Sequence, residues 1–120
     1  MQCCPLSEPD GDLSCSRTVE RKARKAHRCD ECGDAVKAGD RYLFSSGIAD
    51  HEPWSFKSCL LCAEIRKHFA CGRGQSLGTM WDELSDNFFP DMKAGGPCME
   101  GLSPAAKARL FERCLAWRMR

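Results

Sequence analysis

Apolar and polar residues alternate along Trp54-Ser55-Phe56-Lys57-Ser58, and a period of two predicts a strand. From Cys59 the period changes. Leu61, Ile65 and Phe69 recur at four-residue intervals, which predicts a helix starting at Cys59. Upstream, Val36 opens a short strand, Ala38-Gly39-Asp40 forms a hairpin turn, and Arg41-Tyr42-Leu43-Phe44 returns with Tyr42 and Phe44 on one face. Gly47 to Pro53, with Asp50, His51 and Glu52, reads as a polar connection. Leu77, Trp81, Leu84 and Phe88 make the apolar stripe of a second helix, with a cap at Thr79 and a stop at Phe89-Pro90. A last helix starts at the Ser103 cap with Pro104 in its first turn, and Ala106, Leu110, Cys114 and Trp117 form its stripe. The two later stripes are expected to face each other as an antiparallel helix pair. Residues 1 to 14, with Pro5, Pro9 and Gly11, predict irregular chain. The run Cys71 to Ser76 reads as a linker. It lacks the Lys-Ser/Thr ending of a phosphate-binding loop.

Composition sharpens this picture at one point. The chain has 120 residues and ten cysteines. No apolar run is long enough for a signal peptide or a membrane span, so paired cysteines favour metal over disulfides and imply a reducing cytoplasm. Cys29-Asp30-Glu31-Cys32 and Cys59-Leu60-Leu61-Cys62 are two Cys-x-x-Cys pairs with 26 residues between them. Two thiolates spaced in this way reach one ion, and zinc takes four of them at about 2.3 Å. Cys29, Cys32, Cys59 and Cys62 are therefore the expected ligands of one Zn²⁺. Gly33 supplies the left-handed turn after the first pair. Cys59 and Cys62 lie where the positive end of a helix favours thiolates. His27 is expected beside the site, donating a ring N–H, rather than as a ligand.

The resulting fold class is small α+β. A Cys₄ zinc module of treble-clef type (knuckle, β-hairpin, helix) precedes an antiparallel helix pair. The expected division is a cysteine-containing extension over residues 1–22, the zinc module over 23–71 and a helical segment over 72–120. A small metal-centred core and a separate small helical core are expected. Six cysteines remain. Cys3, Cys4, Cys15 and Cys98 are candidates for a second metal site, for which the spacing supplies no template. Cys114 reads as a small buried hydrophobe, and Cys71 has no assigned role.

Net charge is +1, so no global field selects a nucleic acid or a membrane. Locally, Arg17, Arg21, Lys22, Arg24, Lys25 and Arg28 stand against Glu20 alone. The residues are good helix formers, yet they lead into the knuckle, so extended chain is expected after Ala23. Two readings stay open for Arg21, Lys22, Arg24, Lys25 and Arg28: a solvated face, or a footprint on phosphates or an acidic protein. Aromatic residues for stacking bases are not interleaved with them.

The segments Ala23 to Gly33, Ala38 to Tyr42 and Phe56 to Cys62 resemble small zinc-binding proteins encoded by tailed bacteriophages and prophages. The Gly-Gly-Pro-Cys and Leu-Ser-Pro-Ala-Ala runs extend that resemblance more loosely into the last fifty residues. The resemblance implies a phage protein in the bacterial cytoplasm, with a host or phage protein as partner, and it implies no mechanism. The function expected is a non-catalytic, zinc-stabilised binding module that engages host machinery, defence complexes included, and inhibits it. Nucleic-acid binding through residues 17–28 is the alternative. A His-Asn-His-type nuclease using His51 and His68 is a third, and the 26-residue spacer, already used by the hairpin, does not match its template. No catalytic residue, membrane contact or small-molecule substrate is expected.

Overall fold

A computed structural model describes residues 17–49, 51–70, 77–92 and 97–119. Five strands precede three helices: β1 (Arg17–Lys22), β2 (His27–Arg28), β3 (Ala35–Val36), β4 (Arg41–Ala49), β5 (Glu52–Cys59), α1 (Leu60–Ala70), α2 (Met80–Asn87) and α3 (Pro104–Arg118). Short 3-10 turns at Phe89–Asp91 and Pro97–Met99 separate α2 from α3. The fold is small α+β, with a three-stranded antiparallel sheet ordered β1-β4-β5 and a two-stranded β2-β3 ribbon.

Pairing differs from the expected hairpin. Val36 pairs with His27, and Arg41 to Phe44 pair with β1 and β5 instead. The β2-β3 ribbon is the stem of the cysteine knuckle, closed by the Cys29 amide donating to the Asp34 carbonyl at 2.9 Å. The Gly39 turn is retained, with the Gly39 amide donating to the Ala23 carbonyl and the Ala23 amide to the Asp40 carbonyl. Nor is Gly47 to Pro53 a connection. β4 runs on to Ala49 and β5 starts at Glu52, with Ile48 opposite Pro53 and His51 at φ 67° in the tight turn. Sequence polarity misled here because this end of the ribbon is solvent-exposed on both faces, so no apolar alternation marks it.

The basic stretch also takes a definite form. Residues 17–22 are an edge strand paired along the whole register from Arg17–Ser46 to Lys22–Arg41. Helix propensity loses to six paired positions along β4.

Register assigns the two faces of the large sheet. Arg21, Tyr42 and Cys59 align on one side, followed by Val19, Phe44 and Lys57. The other side carries Leu43 with Ser58, then Ser45 with Phe56. That second side lies under the helices: the Arg66 guanidinium sits 5.6 Å from the Phe56 ring, and a Cβ at Gly78 would lie 3.7 Å from it.

The helical stripes are buried as expected at Ile65, Phe69, Leu84, Phe88, Ala106, Leu110 and Cys114. Their partners differ. α3 approaches α1 most closely, whereas α2 runs into the 3-10 turn after it. Contacts between the α2 and α3 segments include Arg113 over Trp81 at 5.1 Å, Phe89 against Trp117 at 5.9 Å and Arg118 donating to the Met92 carbonyl at 3.3 Å. Ser103 does cap α3, its hydroxyl accepting from the Ala106 amide at 3.2 Å. Glu64 of α1 accepts from both the Ser103 amide and hydroxyl, so the same residue ties two helices. Thr79 precedes α2 without a side-chain cap to the backbone; its hydroxyl reaches Glu83 at 3.4 Å.

One apolar cluster runs from Ala23, Cys29 and Val36 through Cys62, Ile65 and Phe69 to Leu84, Leu110 and Cys114. The two separate cores expected from sequence are thus a single one, because α1 presents Ile65 and Phe69 to both halves. Leu110→Ala should therefore lower the unfolding free energy by about 2–5 kcal/mol, while denaturation followed by helix and by tryptophan signals remains one transition. Two separated transitions would contradict a shared core.

Candidate metal centre

Cys29, Cys32, Cys59 and Cys62 converge. Their sulfurs all lie within 4.8 Å of one another, and all four are free thiols. The Cys32 and Cys59 sulfurs are 3.9 Å apart. Four sulfurs at about 2.3 Å from one tetrahedral ion would be about 3.8 Å apart. The cluster thus fits a metal ion, and its spread is too wide for disulfides, whose bond is about 2.05 Å.

Each ligand is placed by a separate local device. The knuckle turns back on itself through the Gly33 amide, which donates to the Cys29 carbonyl at 2.9 Å with Gly33 at φ 80°. A side chain at that φ would be strained. Asp30 docks the knuckle on β5: its amide donates to the Lys57 carbonyl, and its carboxylate accepts from the Lys57 amide, both at 2.8 Å. The chain passes from β5 into α1 at Cys59, so Cys59 and Cys62 flank the first turn of the helix. Amides point at the sulfurs, Cys59 N–H to Cys29 at 3.3 Å and Cys62 N–H to Cys59 at 3.5 Å. Such donors stabilise thiolate charge.

α3 completes the surroundings. Arg109 pairs with Asp34 and directs Nη1 at the Cys32 sulfur from 3.9 Å, while Arg113 donates to the Cys32 carbonyl at 2.9 Å. Burial opposes the Arg109 charge, but Asp34 and the Cys32 sulfur outweigh it and raise its pKa. The sequence alone does not mark these arginines as part of the site. Their spacing of four on one helix was the available signal, but only the packing of α3 on α1 brings that face to the knuckle.

Beneath the knuckle, Glu31 and Arg66 form an ion pair at 2.8 Å with side-chain exposures of 0% and 6%. Arg66 also donates to the Ser58 hydroxyl at 3.3 Å. Burial pushes the Glu31 carboxyl up, and Arg66 opposes it, as does the Met80 amide at the start of α2. Among the described residues, Glu31 Oε2 nevertheless meets no donor in hydrogen-bond geometry. The pair therefore joins knuckle, β5 and α1 at a high desolvation cost.

His27 is no member of the cluster. It lies 5.4 Å from the Tyr42 ring and accepts from Lys57 Nζ at 3.3 Å. Burial first, then the charges of Lys57 and Lys25, hold its pKa down. Among the described residues, the four cysteines are the one group of three or more ligand side chains close enough to share an ion. His51 is exposed in its turn, and His68 bonds the Cys98 carbonyl at 2.7 Å. Of the second-site candidates, Cys3, Cys4 and Cys15 lie outside the described residues, as does Cys71. Cys98 is buried and disulfide-bonded, so its sulfur is not a thiolate here. Arg21, Lys22, Arg24, Lys25 and His27 line an open groove with Ala23 and Tyr42. Arg28 is exposed on β2 outside that lining.

No known protein family, curated protein or solved structure matches the chain.

Two predictions follow the geometry. Arg66→Ala leaves a carboxylate buried without a counter-charge and should cost about 3–5 kcal/mol in denaturant unfolding. Glu31→Leu combined with Arg66→Met should cost much less; equal losses would mean the ion pair itself is not the cause. The second concerns protons. Among the four thiols, donation from Cys59 and Cys62 lowers Cys29, which in turn holds Cys59 up at about 11 and Cys62 higher still. Groups with raised pKa are protonated at neutral pH, so a metal ion must displace their protons. Metal binding should release roughly two or more protons per ion and weaken as pH falls from about 7.5 to 5.5. An affinity flat across that range, read by competition with a chromophoric chelator, would contradict it.

Proposed function

We propose that the chain is a non-catalytic binding module held by one structural zinc ion, and that it acts by engaging a macromolecule of the host cell. The observation that carries this reading is the closure of the cysteine cluster. Protein sulfur would fill all four positions of a tetrahedral ion; Cys62 is wholly buried and Cys29 is 1% exposed, with Cys32 and Cys59 half-buried beside them. A catalytic zinc keeps a position open for water or substrate, whereas a Cys₄ set is a structural one. Four sulfurs around one ion suit zinc or iron. Two Cys-x-x-Cys pairs forming a Cys₄ set are the pattern of structural zinc sites, which favours zinc.

The order of elements supports a treble-clef-like description: a knuckle on a β-ribbon, antiparallel strands, then a helix whose first turn carries the second ligand pair. The ion would cross-link segments 27 residues apart in sequence, from Cys32 to Cys59. Folding and metal binding are coupled in such modules. The phage setting and a host-protein target come from the sequence resemblance, as does inhibition of host machinery. No helix among the described residues is long and apolar enough to cross a membrane.

Protein purified under reducing conditions should contain one zinc per chain. Chelation, or Cys59→Ser, should abolish its cooperative melting. A soluble, unchanged protein lacking metal would refute the structural role, and stoichiometric iron would refute zinc.

A further inference from the structure

One surface is left without a structural task. The basic stretch that forms β1 does not spread its charges over a convex face. The chain turns at residues 23–26, and Arg21, Lys22, Arg24, Lys25 and His27 come to line one open groove with Ala23 and Tyr42. Five of its seven lining side chains are basic by type and none is acidic. Lys57 stands at its margin, with Nζ on the His27 ring.

We propose that this groove binds the phosphodiester backbone of a nucleic acid; the inference rests on the binding-module reading and takes a nucleic acid, instead of a host protein, as what this groove engages. Charge complementarity is the first ground. Among the described residues, no carboxylate lies within ion-pair distance of Arg21, Lys22, Arg24 or Lys25. The neighbouring carboxylates are engaged elsewhere: Glu20 pairs with Arg41, and Asp40 accepts from the Lys37 amide. These four cations are therefore available to an outside anion although the whole chain carries only +1.

Preorganisation is the second ground. The Ala23 and Gly39 backbone bonds fix the turn, and Arg21 is held over the Phe44 ring at 4.0 Å. Tyr42, which forms part of the floor, is buried and opposite Cys59 in register, so the groove is anchored to the metal-holding strand end. A groove of lysines and arginines spaced along a strand and turn matches a repeating anion better than a single one. Tyr42 is only 5% exposed and His27 already faces it, so neither offers a free ring face for a base. Contacts would go to phosphates, which position a strand without reading its sequence.

The test uses the full zinc-loaded chain and three labelled probes: a 20-nucleotide oligothymidylate, its duplex with oligoadenylate, and a polyglutamate of matched charge. Four phosphate contacts on a single strand predict a slope of log K against log salt of about −3, or roughly sixtyfold weaker binding from 50 to 200 mM salt. Lys22→Gln/Arg24→Gln/Lys25→Gln should weaken binding at least tenfold and flatten that slope by about two. Arg24→Gln alone should flatten it by about 0.7, which keeps the test open if the triple variant does not fold. The tighter of the two nucleic-acid probes identifies the source of the backbone. Zinc content and melting are measured on the same samples. A folded, zinc-loaded chain that ignores both oligonucleotides, or binds polyglutamate equally well, overturns this inference and leaves the zinc module standing. A chain without zinc that retains its fold overturns the module reading itself.

Discussion

Four cysteine sulfurs brought within reach of one ion are the constraint on which the rest of the structure depends. Two come from a turn that buries only Cys29 and the Glu31 side chain deeply, and two from the junction between a strand and a helix. The knuckle cannot be held by apolar burial: Asp30, Gly33, Asp34 and Ala35 are all exposed. Sulfur, the paired Asp30–Lys57 hydrogen bonds and the Glu31–Arg66 pair hold it instead. A charged cluster of this kind must be compensated. Amide donors from the end of β5 and the first turn of α1, and the Arg109 guanidinium from α3, are placed where that compensation is needed.

The helical half consequently serves the metal centre as well as the core. Leu110 and Cys114 anchor α3 in the shared apolar cluster, and Arg109 and Arg113, each one residue before them, reach the knuckle. Packing and electrostatics thus fix the same helix in the same register. The reverse also holds, since Ser58 at the end of β5 and Arg66 on α1 bring the buried ion pair under the sheet.

Much of this was legible in the chain. The Cys-x-x-Cys spacing reports a local geometric requirement, so Cys29, Cys32, Cys59 and Cys62 could be read directly. The periodicity of Ile65 and Phe69, and the Ser103-Pro104 start, likewise follow from rules acting within one helix. What sequence could not supply was pairing between distant segments. Val36 pairs with His27 instead of the strand Arg41 to Phe44, and β1 joins the sheet, because strand partners are settled by register across the fold. Arg109 and Arg113 were not legible for the same reason: a charged residue on a helix looks solvated until the helix is docked. Glu31 was hidden by its type, since a carboxylate inside a knuckle is expected to face water.

The central claim is that all four cysteines bind one zinc ion and nothing else does. Zinc K-edge X-ray absorption on the purified, reduced chain measures this directly. Four sulfur neighbours at about 2.3 Å and no lighter scatterer would agree with it. Fewer than four sulfurs, or a nitrogen or oxygen neighbour at about 2.0–2.2 Å, would contradict it, because the ion would then have an open or exchangeable position.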